Sequence, residues 1–142
     1  MSQAAKKSRI LLIDDSPEDA DLIRIALRGA KIDCDVNIID DGANAMALVR
    51  GKAKKVDVPD LAILDLNLPK YDGFEILAAM RSNPVFSKVP VAVMSSSASE
   101  RDKERAAEMG VAQFIIKPAE LKEFLETGMI IKSLLGDQAQ VA

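Results

Sequence analysis

Short aliphatic runs alternate with amphipathic stretches along most of the chain. Each run has the length of a β-strand and is rich in Ile, Val and Leu. Five such runs are present: RILLID (9–14), VNIID (36–40), LAILD (61–65), VAVMS (91–95) and QFIIK (113–117). Because the runs lack strict polar alternation, we expect parallel strands that are covered on both faces. The pattern predicts an α/β fold with a doubly wound five-stranded parallel sheet.

Helical periodicity fills the segments between and after these runs. The predicted helices are Pro17–Arg28, Gly42–Val49, Phe74–Arg81, Ser99–Met109 and Leu121–Leu135. Ser16 is expected to cap the first helix, with Pro17 at its first position and Asp19 completing a capping-box-like pair. Gly29 and Gly110 are expected to end the first and fourth helices.

The length of 142 residues is typical of one domain with its own core. Hydrophobic residues make up 49% and charged residues 29% of the chain, which is an ordinary balance for a globular protein. We assign residues 8–135 to the domain and expect residues 1–7 and 136–142 to be flexible termini.

Composition excludes several classes of function. The chain has no histidine, so Ser-His-Asp and Cys-His catalysis, His-rich zinc sites and histidine autophosphorylation are excluded. With 19 basic and 22 acidic residues, no net positive field attracts nucleic acid, and the GKAKK stretch (51–55) is interpreted as a solvated loop. A single cysteine, Cys34, and a leading apolar run of only ILLI predict a cytoplasmic protein without a membrane segment.

Polar residues gather where the predicted strands end. They are Asp14, Asp15, Asp65, Ser95 and Lys117. The carboxyl ends of parallel strands meet at one edge of the sheet, where ligands bind in such folds. Three carboxylates are hard oxygen ligands that suit Mg²⁺, and such an ion would relieve the repulsion between the two adjacent aspartates.

This constellation also suits phosphoryl transfer to a carboxylate. Asp65 is best placed to act as nucleophile on phosphorus, while Lys117 and Ser95 would bind phosphoryl oxygens. Each residue also has a purely structural interpretation. An Asp at a strand end commonly forms a turn, a Lys before Pro is often simply exposed, and a run of Ser is often a loop or a helix cap. Only the shared position of these residues favours the joint interpretation.

Four motifs in this order resemble the receiver domain of two-component response regulators. The resemblance extends from about Ser8 to Leu135 and rests on ILLIDDSPEDADLI, LAILDLNLPKYDGFEIL, VPVAVMSSSAS and QFIIKPAE. It implies a flavodoxin-like sheet in the order 2-1-3-4-5 flanked by five helices; a member of this family is a standard illustration of that order.

The resemblance assigns roles around the acidic edge. It implies that Asp65 is the phosphoacceptor, Asp15 a direct Mg²⁺ ligand and Asp14 a partner acting through metal-bound water. Asn67 would offer its backbone carbonyl to the metal.

Further roles concern the phosphoryl group and the switch. The resemblance implies that Ser95 and Lys117 contact the phosphoryl group and that Phe114 is the aromatic switch residue, with a plain core aromatic as the alternative. The positions of Asn67 and Ser97 vary in the family and tune the lifetime of the phosphate, which we leave open.

The resemblance also implies partners. A histidine kinase or phosphotransfer protein would be the phosphodonor, and a downstream protein would bind near the fourth and fifth helices, with no direct nucleic-acid or membrane contact. The chain resembles stand-alone receivers, including those that work with phytochrome-type histidine kinases. Monomer and homodimer both stay open.

Three other functions remain as alternatives. A Mg²⁺-dependent aspartyl-phosphate phosphatase usually needs a second acid as DxD, whereas LDLNL offers Asn67. A phosphate-independent interaction module is disfavoured by the intact set of polar residues. A flavodoxin-like cofactor binder is disfavoured because the first strand is not followed by a Gly-rich phosphate loop.

Overall fold

A computed structural model describes residues 7–51, 58–97 and 99–139, with side chains as far as Gly136. Five strands form one sheet in the order β2-β1-β3-β4-β5, and each neighbouring pair is parallel. The strands are β1 (Ser8–Ile13), β2 (Cys34–Ile39), β3 (Leu61–Asp65), β4 (Val91–Ser95) and β5 (Gln113–Ile116). The predicted sheet and its strand order are confirmed. The lysines of the GKAKK stretch, predicted to lie in a solvated loop, fall outside the described residues.

Five helices connect and follow the strands. They are α1 (Pro17–Gly29), α2 (Gly42–Arg50), α3 (Gly73–Ser82), α4 (Glu100–Glu108) and α5 (Leu121–Ala139). The ends of the first four helices differ from the predicted ends by no more than one residue. The last helix continues to Ala139, beyond the predicted end at Leu135 and into the predicted flexible terminus. Glycine inside a helix costs only about 1 kcal/mol relative to alanine, so Gly136 does not stop it.

The two faces of the sheet are covered by different helices. Alternate strand side chains such as Leu11, Leu64 and Val93 belong to a buried cluster that contains residues of α2, α3 and α4. The intervening side chains, among them Ile10 and Ile63, pack with residues of α1 and α5. Every residue of β3 and β4 is buried, which explains why their sequences show no polar alternation.

The ends of α1 and α4 test the predicted helix signals. Ser16 caps α1 by accepting a hydrogen bond from the Asp19 amide, and Pro17 occupies the first turn, as predicted. Gly110 follows α4 with a φ of +74°, a left-handed conformation that glycine adopts without strain. At α1, however, Gly29 is the last helical residue, and Lys31 takes the left-handed conformation with a φ of +60°. The predicted end of α1 at Gly29 is confirmed, but the left-handed residue lies two positions further along the chain.

Among the described residues, no helix combines sufficient length with sufficient apolar character to span a membrane.

Candidate functional site

Three charged side chains converge at the carboxyl edge of the central strands. Successive side chains of a strand point to opposite faces of the sheet. Asp14, Asp65 and Lys117 lie on the same face as the strand residues that pack against α1 and α5. Because β1, β3, β4 and β5 are adjacent and parallel, these residues end at the same edge. The predicted meeting of the strand ends is thus present in the structure.

Lys117 lies at the centre of this cluster. Its Nζ lies 3.0 Å from Asp65 Oδ2 and 3.5 Å from Asp14 Oδ2, and it approaches Asp19 Oδ2 most closely, at 2.7 Å. The Lys117 amide also donates to the Ser95 carbonyl, at 2.7 Å, which fixes the start of the segment after β5. One ammonium group is therefore shared by three carboxylates.

Asp19 is the site residue that the sequence interpretation missed. The prediction placed its carboxylate in a capping box, where it would accept from the Ser16 amide. In the structure the Ser16 amide instead donates to Asp14 Oδ1, at 2.9 Å, and the Asp19 carboxylate binds Lys117. The reciprocal half of the predicted capping box was wrong. The sequence did indicate that Asp19 could belong to the site, because the first turn of the helix after β1 lies at the same edge of the sheet as the strand ends.

Burial controls the charge state of the cluster. Asp14 is 1% exposed and Asp65 is 2% exposed. Removal from water raises the pKa of Asp14 to about 6, although the Ser16 amide and the Lys117 charge both oppose this increase. Burial alone would lower the pKa of Lys117, but its hydrogen bonds to Asp19 and Asp65 and the charge of Asp14 raise it above its usual value. Lys117 is accordingly a fixed positive charge.

The acidic residues fit a divalent cation. Carboxylate oxygens of Asp14, Asp15 and Asp65 lie within 4.8 Å of one another, and Asp15 is exposed beside the two buried groups. In the described part of the chain no hydrogen bond reaches the buried Oδ2 of Asp14. A buried carboxylate oxygen without a donor requires compensation, and a hard cation with oxygen ligands supplies it. The three aspartates predicted as metal ligands therefore lie together.

Asn67 connects the site to the loop after β4. Its amide donates to Asp65 Oδ1, at 2.8 Å, and so leaves Asp65 Oδ2 facing Lys117. Its side-chain oxygen accepts from the Ser96 amide at 3.0 Å, from the Ser96 hydroxyl at 3.2 Å and from the Ser95 hydroxyl at 3.4 Å. This contact of the Asn67 side chain was not predicted from the sequence.

Ser95 and Phe114 lie on the other face of the sheet. Ser95 is fully buried and continues the alternation of Val91 and Val93, which faces α2, α3 and α4. Its hydroxyl donates to the Asn67 side-chain oxygen and accepts from the Ser97 amide at 3.1 Å, so among the described residues it hydrogen-bonds to neither Lys117 nor Asp65. Phe114 is partly buried, packs against the same cluster and lines a groove of about 390 Å³ between β5 and α5.

Comparison with known proteins adds independent information. Residues 10–127 match the family described as response regulator receiver domain. The chain is 36% identical over 126 residues to response regulator Rcp1 of Synechocystis sp., covering 87% of this chain and 86% of that protein.

Solved structures show the same similarity. The phosphorylated cyanobacterial phytochrome response regulator RcpA has a TM-score of 0.80 and 34% identity, with 92% of this chain and 94% of that chain covered. The Mn²⁺-bound form of Rcp1 has a TM-score of 0.77 and 35% identity, with 89% and 92% covered. The fold, the acidic edge and these matches together show that the chain belongs to the response regulator receiver domain family.

Proposed function

We propose that this receiver accepts a phosphoryl group on Asp65 from a histidine kinase or a phosphotransfer protein, in a Mg²⁺-dependent reaction. The single observation that carries the proposal is the position of Asp65 Oδ2. It is almost fully buried, lies 3.0 Å from Lys117 Nζ, and shares a cluster of carboxylate oxygens with Asp14 and Asp15. A nucleophilic carboxylate beside a fixed cation and a metal site has the parts that phosphoryl transfer requires.

The chemical step is a displacement at phosphorus. Asp65 Oδ2 forms the new P–O bond while the P–N bond of a phosphohistidine donor breaks. The departing imidazole nitrogen keeps the electron pair, and the neutral imidazole results once the proton balance is completed with solvent. Asp65 Oδ1 stays bonded to the Asn67 amide, which holds the carboxylate in orientation.

Charge on the transferring group is balanced from two sides. Lys117 would donate to one phosphoryl oxygen, and the Ser95 hydroxyl would donate to another. Asp14, Asp15, Asp65 and the Asn67 carbonyl would hold the divalent cation, which neutralises phosphoryl charge when it is bound. The Mn²⁺-bound form of Rcp1 supports a divalent ion in this family, and we propose Mg²⁺ for this chain.

The switch begins with the Ser95 hydroxyl. To reach the phosphoryl group, Ser95 must exchange its contact with Asn67 for one with phosphate, and the loop after β4 then loses part of its attachment. We propose that Phe114 responds to this movement, because both residues face the same side of the sheet. The two arrangements differ in hydrogen bonds, so phosphate can bias their populations.

The surface near α4, β5 and α5 is the proposed site for a downstream protein. Its groove is lined by Lys103 of α4, by Phe114 and Ile116 of β5, and by Glu126 and Ile130 of α5. Ile116 is 45% exposed there, so an apolar contact is available to a partner. Since RcpA is a phytochrome response regulator, we propose a phytochrome-type kinase as donor, acting in the cytoplasm, with the oligomeric state left open.

The direct test uses a small phosphodonor. The purified chain is incubated with acetyl phosphate and Mg²⁺, and intact mass is used to detect one acid-stable, base-labile phosphoryl adduct. We expect the adduct in the parent chain, and we expect it to be lost in Asp65→Asn and after chelation of the metal. Asp40→Asn is the matched control, because Asp40 is an exposed aspartate directly after β2 at the same edge.

Two outcomes contradict the proposal. An adduct of equal yield in Asp65→Asn would place the phosphoryl group elsewhere. No adduct with acetyl phosphate or with a kinase preparation active on another receiver would favour the phosphate-independent module.

A further inference from the structure

Asp19 is the closest partner of Lys117, yet it is outside the group of carboxylates that fits a metal ion. The distance from Lys117 Nζ to Asp19 Oδ2 is 2.7 Å, compared with 3.0 Å to Asp65 and 3.5 Å to Asp14. The group of oxygens within 4.8 Å consists of Asp14, Asp15 and Asp65. The ammonium group therefore links one carboxylate outside the metal set to two inside it.

Lys117 and a divalent cation compete for the same oxygens. Asp14 Oδ2 and Asp65 Oδ2 both contact the ammonium group, and both residues belong to the group of carboxylates that fits a metal ion. A cation that binds these carboxylates weakens their attraction for Lys117, because two positive charges then share them. Lys117 needs another anion to remain at the site.

We propose that Asp19 is a positioning residue that anchors Lys117 independently of the metal, and thereby frees Asp14 and Asp65 to bind the cation. The inference rests on the proposed function for two points, the divalent cation at the acidic residues and the contact of Lys117 with the phosphoryl group. With Asp19 present, the ammonium keeps a short, charge-assisted hydrogen bond when the cation arrives. Without Asp19, Lys117 pairs more strongly with Asp14 and Asp65 and opposes the cation.

The location of Asp19 suits an anchor. Its backbone amide donates to the Ser16 hydroxyl, at 3.2 Å, at the start of α1. Its side chain is partly buried, with 26% exposure, and Lys117 is less exposed, at 15%. A capped helix start and a half-buried ion pair hold the carboxylate more firmly than an exposed pair of long side chains would.

The same anchor assists the transfer step. After phosphorylation Asp65 Oδ2 becomes the bridging oxygen of an acyl phosphate and loses its negative charge, so it holds Lys117 less strongly. Asp19 keeps its charge throughout and leaves Lys117 beside the new phosphoryl oxygens. In this arrangement Asp19 acts through Lys117 and does not contact the reacting atoms.

The test measures metal affinity without any phosphodonor. Mn²⁺ is titrated into the parent chain, Asp19→Asn, Lys117→Met and the double variant, and free Mn²⁺ is followed by electron paramagnetic resonance. We expect Asp19→Asn to weaken Mn²⁺ binding about tenfold, the effect of one ion-pair energy of about 1.4 kcal/mol. In the Lys117→Met background the same change is expected to weaken binding by less than about threefold, since the competitor is absent.

Controls separate this effect from charge loss and from misfolding. Asp21→Asn removes an exposed carboxylate from the same helix and should leave Mn²⁺ affinity within about twofold of the parent value. Asp19→Asn keeps the backbone amide that binds Ser16, and circular dichroism verifies its fold. Asp19→Glu retains the anion and should recover part of the lost affinity.

Equal weakening by Asp19→Asn in the two backgrounds, or no weakening in the parent background, would overturn the proposal. Phosphorylation by acetyl phosphate is then measured at saturating Mg²⁺, where we expect Asp19→Asn to react about tenfold more slowly than the parent. If the parent is phosphorylated normally but the metal titrations fail, only the role of Asp19 is rejected. If the titrations succeed but no chain is phosphorylated, only the proposed function is rejected.

Discussion

The side-chain oxygen of Asn67 accepts a hydrogen bond of 3.0 Å from the backbone amide of Ser96. This bond joins the loop after β3, next to Asp65, to the loop after β4. The same oxygen lies 3.4 Å from the Ser95 hydroxyl, so one acceptor holds both the loop backbone and the proposed switch residue. This side chain therefore stabilises the arrangement of the loop seen in the structure.

Asn67→Ala is expected to loosen the loop after β4. Loss of the acceptor leaves the Ser96 amide without this partner, at a cost of about 1 kcal/mol. Hydrogen–deuterium exchange of the segment around Ser96 and Ser97 should therefore accelerate, while exchange in β2 stays unchanged. Asn67→Asp retains an acceptor oxygen and should preserve the protection. Equal exchange in the parent chain and Asn67→Ala would show that the bond does not hold the loop.

Asp14→Asn is expected to stabilise the metal-free protein at neutral pH. The pKa of Asp14 is about 6 in the folded chain, compared with an ordinary value of 3.8. Between these pH values the folded state binds more protons than the unfolded state, so the free energy of unfolding decreases as the pH rises. Asparagine does not ionise and avoids this loss. The expected advantage of the variant is about 1–3 kcal/mol at neutral pH and close to zero near about pH 4.

Urea unfolding with a chelator present, followed by circular dichroism, measures this difference. Asp21→Asn, on the exposed side of α1, controls for the loss of a negative charge. A stability difference between Asp14→Asn and the parent chain that is the same at acidic and neutral pH would contradict the explanation, since an ionisation effect must change over this interval.

Arg81→Met is expected to destabilise the fold by about 2 kcal/mol or more. The Arg81 guanidinium donates to four backbone carbonyls, at distances of 2.9–3.3 Å, and so joins the loop after α3 to the end of α4. The acceptors are Ser87, Val89, Met109 and Gly110. Lysine lacks the planar fork, so Arg81→Lys should recover little stability. Arg50→Met, at the exposed end of α2, should leave the urea midpoint nearly unchanged.

Gly128→Ala is expected to weaken the packing of α5 against α1. An added Cβ would overlap the Ala26 carbonyl oxygen and lie 2.8 Å from its carbonyl carbon. Backbone atoms cannot rotate away, so the cost of about 1–3 kcal/mol exceeds the gain of about 1 kcal/mol in helix propensity. Gly136→Ala is the matched control in the same helix. There a Cβ meets no described atom within 4 Å, and thermal unfolding should show unchanged or higher stability.

The sequence predicted the sheet and the strand-end cluster because both depend on local patterns. Aliphatic runs determine the strands, and parallel strands carry their last residues to one edge, so the sequence alone places Asp14, Asp65 and Lys117 together. The contact of Asp19 with the site was not predicted, because an acidic residue in the first turn of a helix is already explained locally as part of a cap. Its actual partner is 98 residues away along the chain.

Other differences have the same physical origin. The side chain of Asn67 crosses to the Ser96 loop, a contact that was not predicted because it depends on how two loops pack. The expected role of the Asn67 backbone carbonyl stays a prediction. At the end of α1, Gly29 is the last helical residue as predicted, but the left-handed conformation after it belongs to Lys31, which no sequence signal indicated. Packing decides whether a polar side chain binds a local or a distant partner. The hydrophobic periodicity of the sequence does not contain that information.

The two faces of the sheet carry different parts of the candidate site. Asp14, Asp65, Lys117 and Asp19 occupy the side covered by α1 and α5, whereas Ser95 and Phe114 occupy the other side. Because α4 packs on the face opposite the charged cluster, a substitution on its outer surface removes none of the contacts between Lys117 and its three carboxylates. A receiver domain built in this way can change the downstream partner that binds at α4 while it keeps the same site for its phosphodonor.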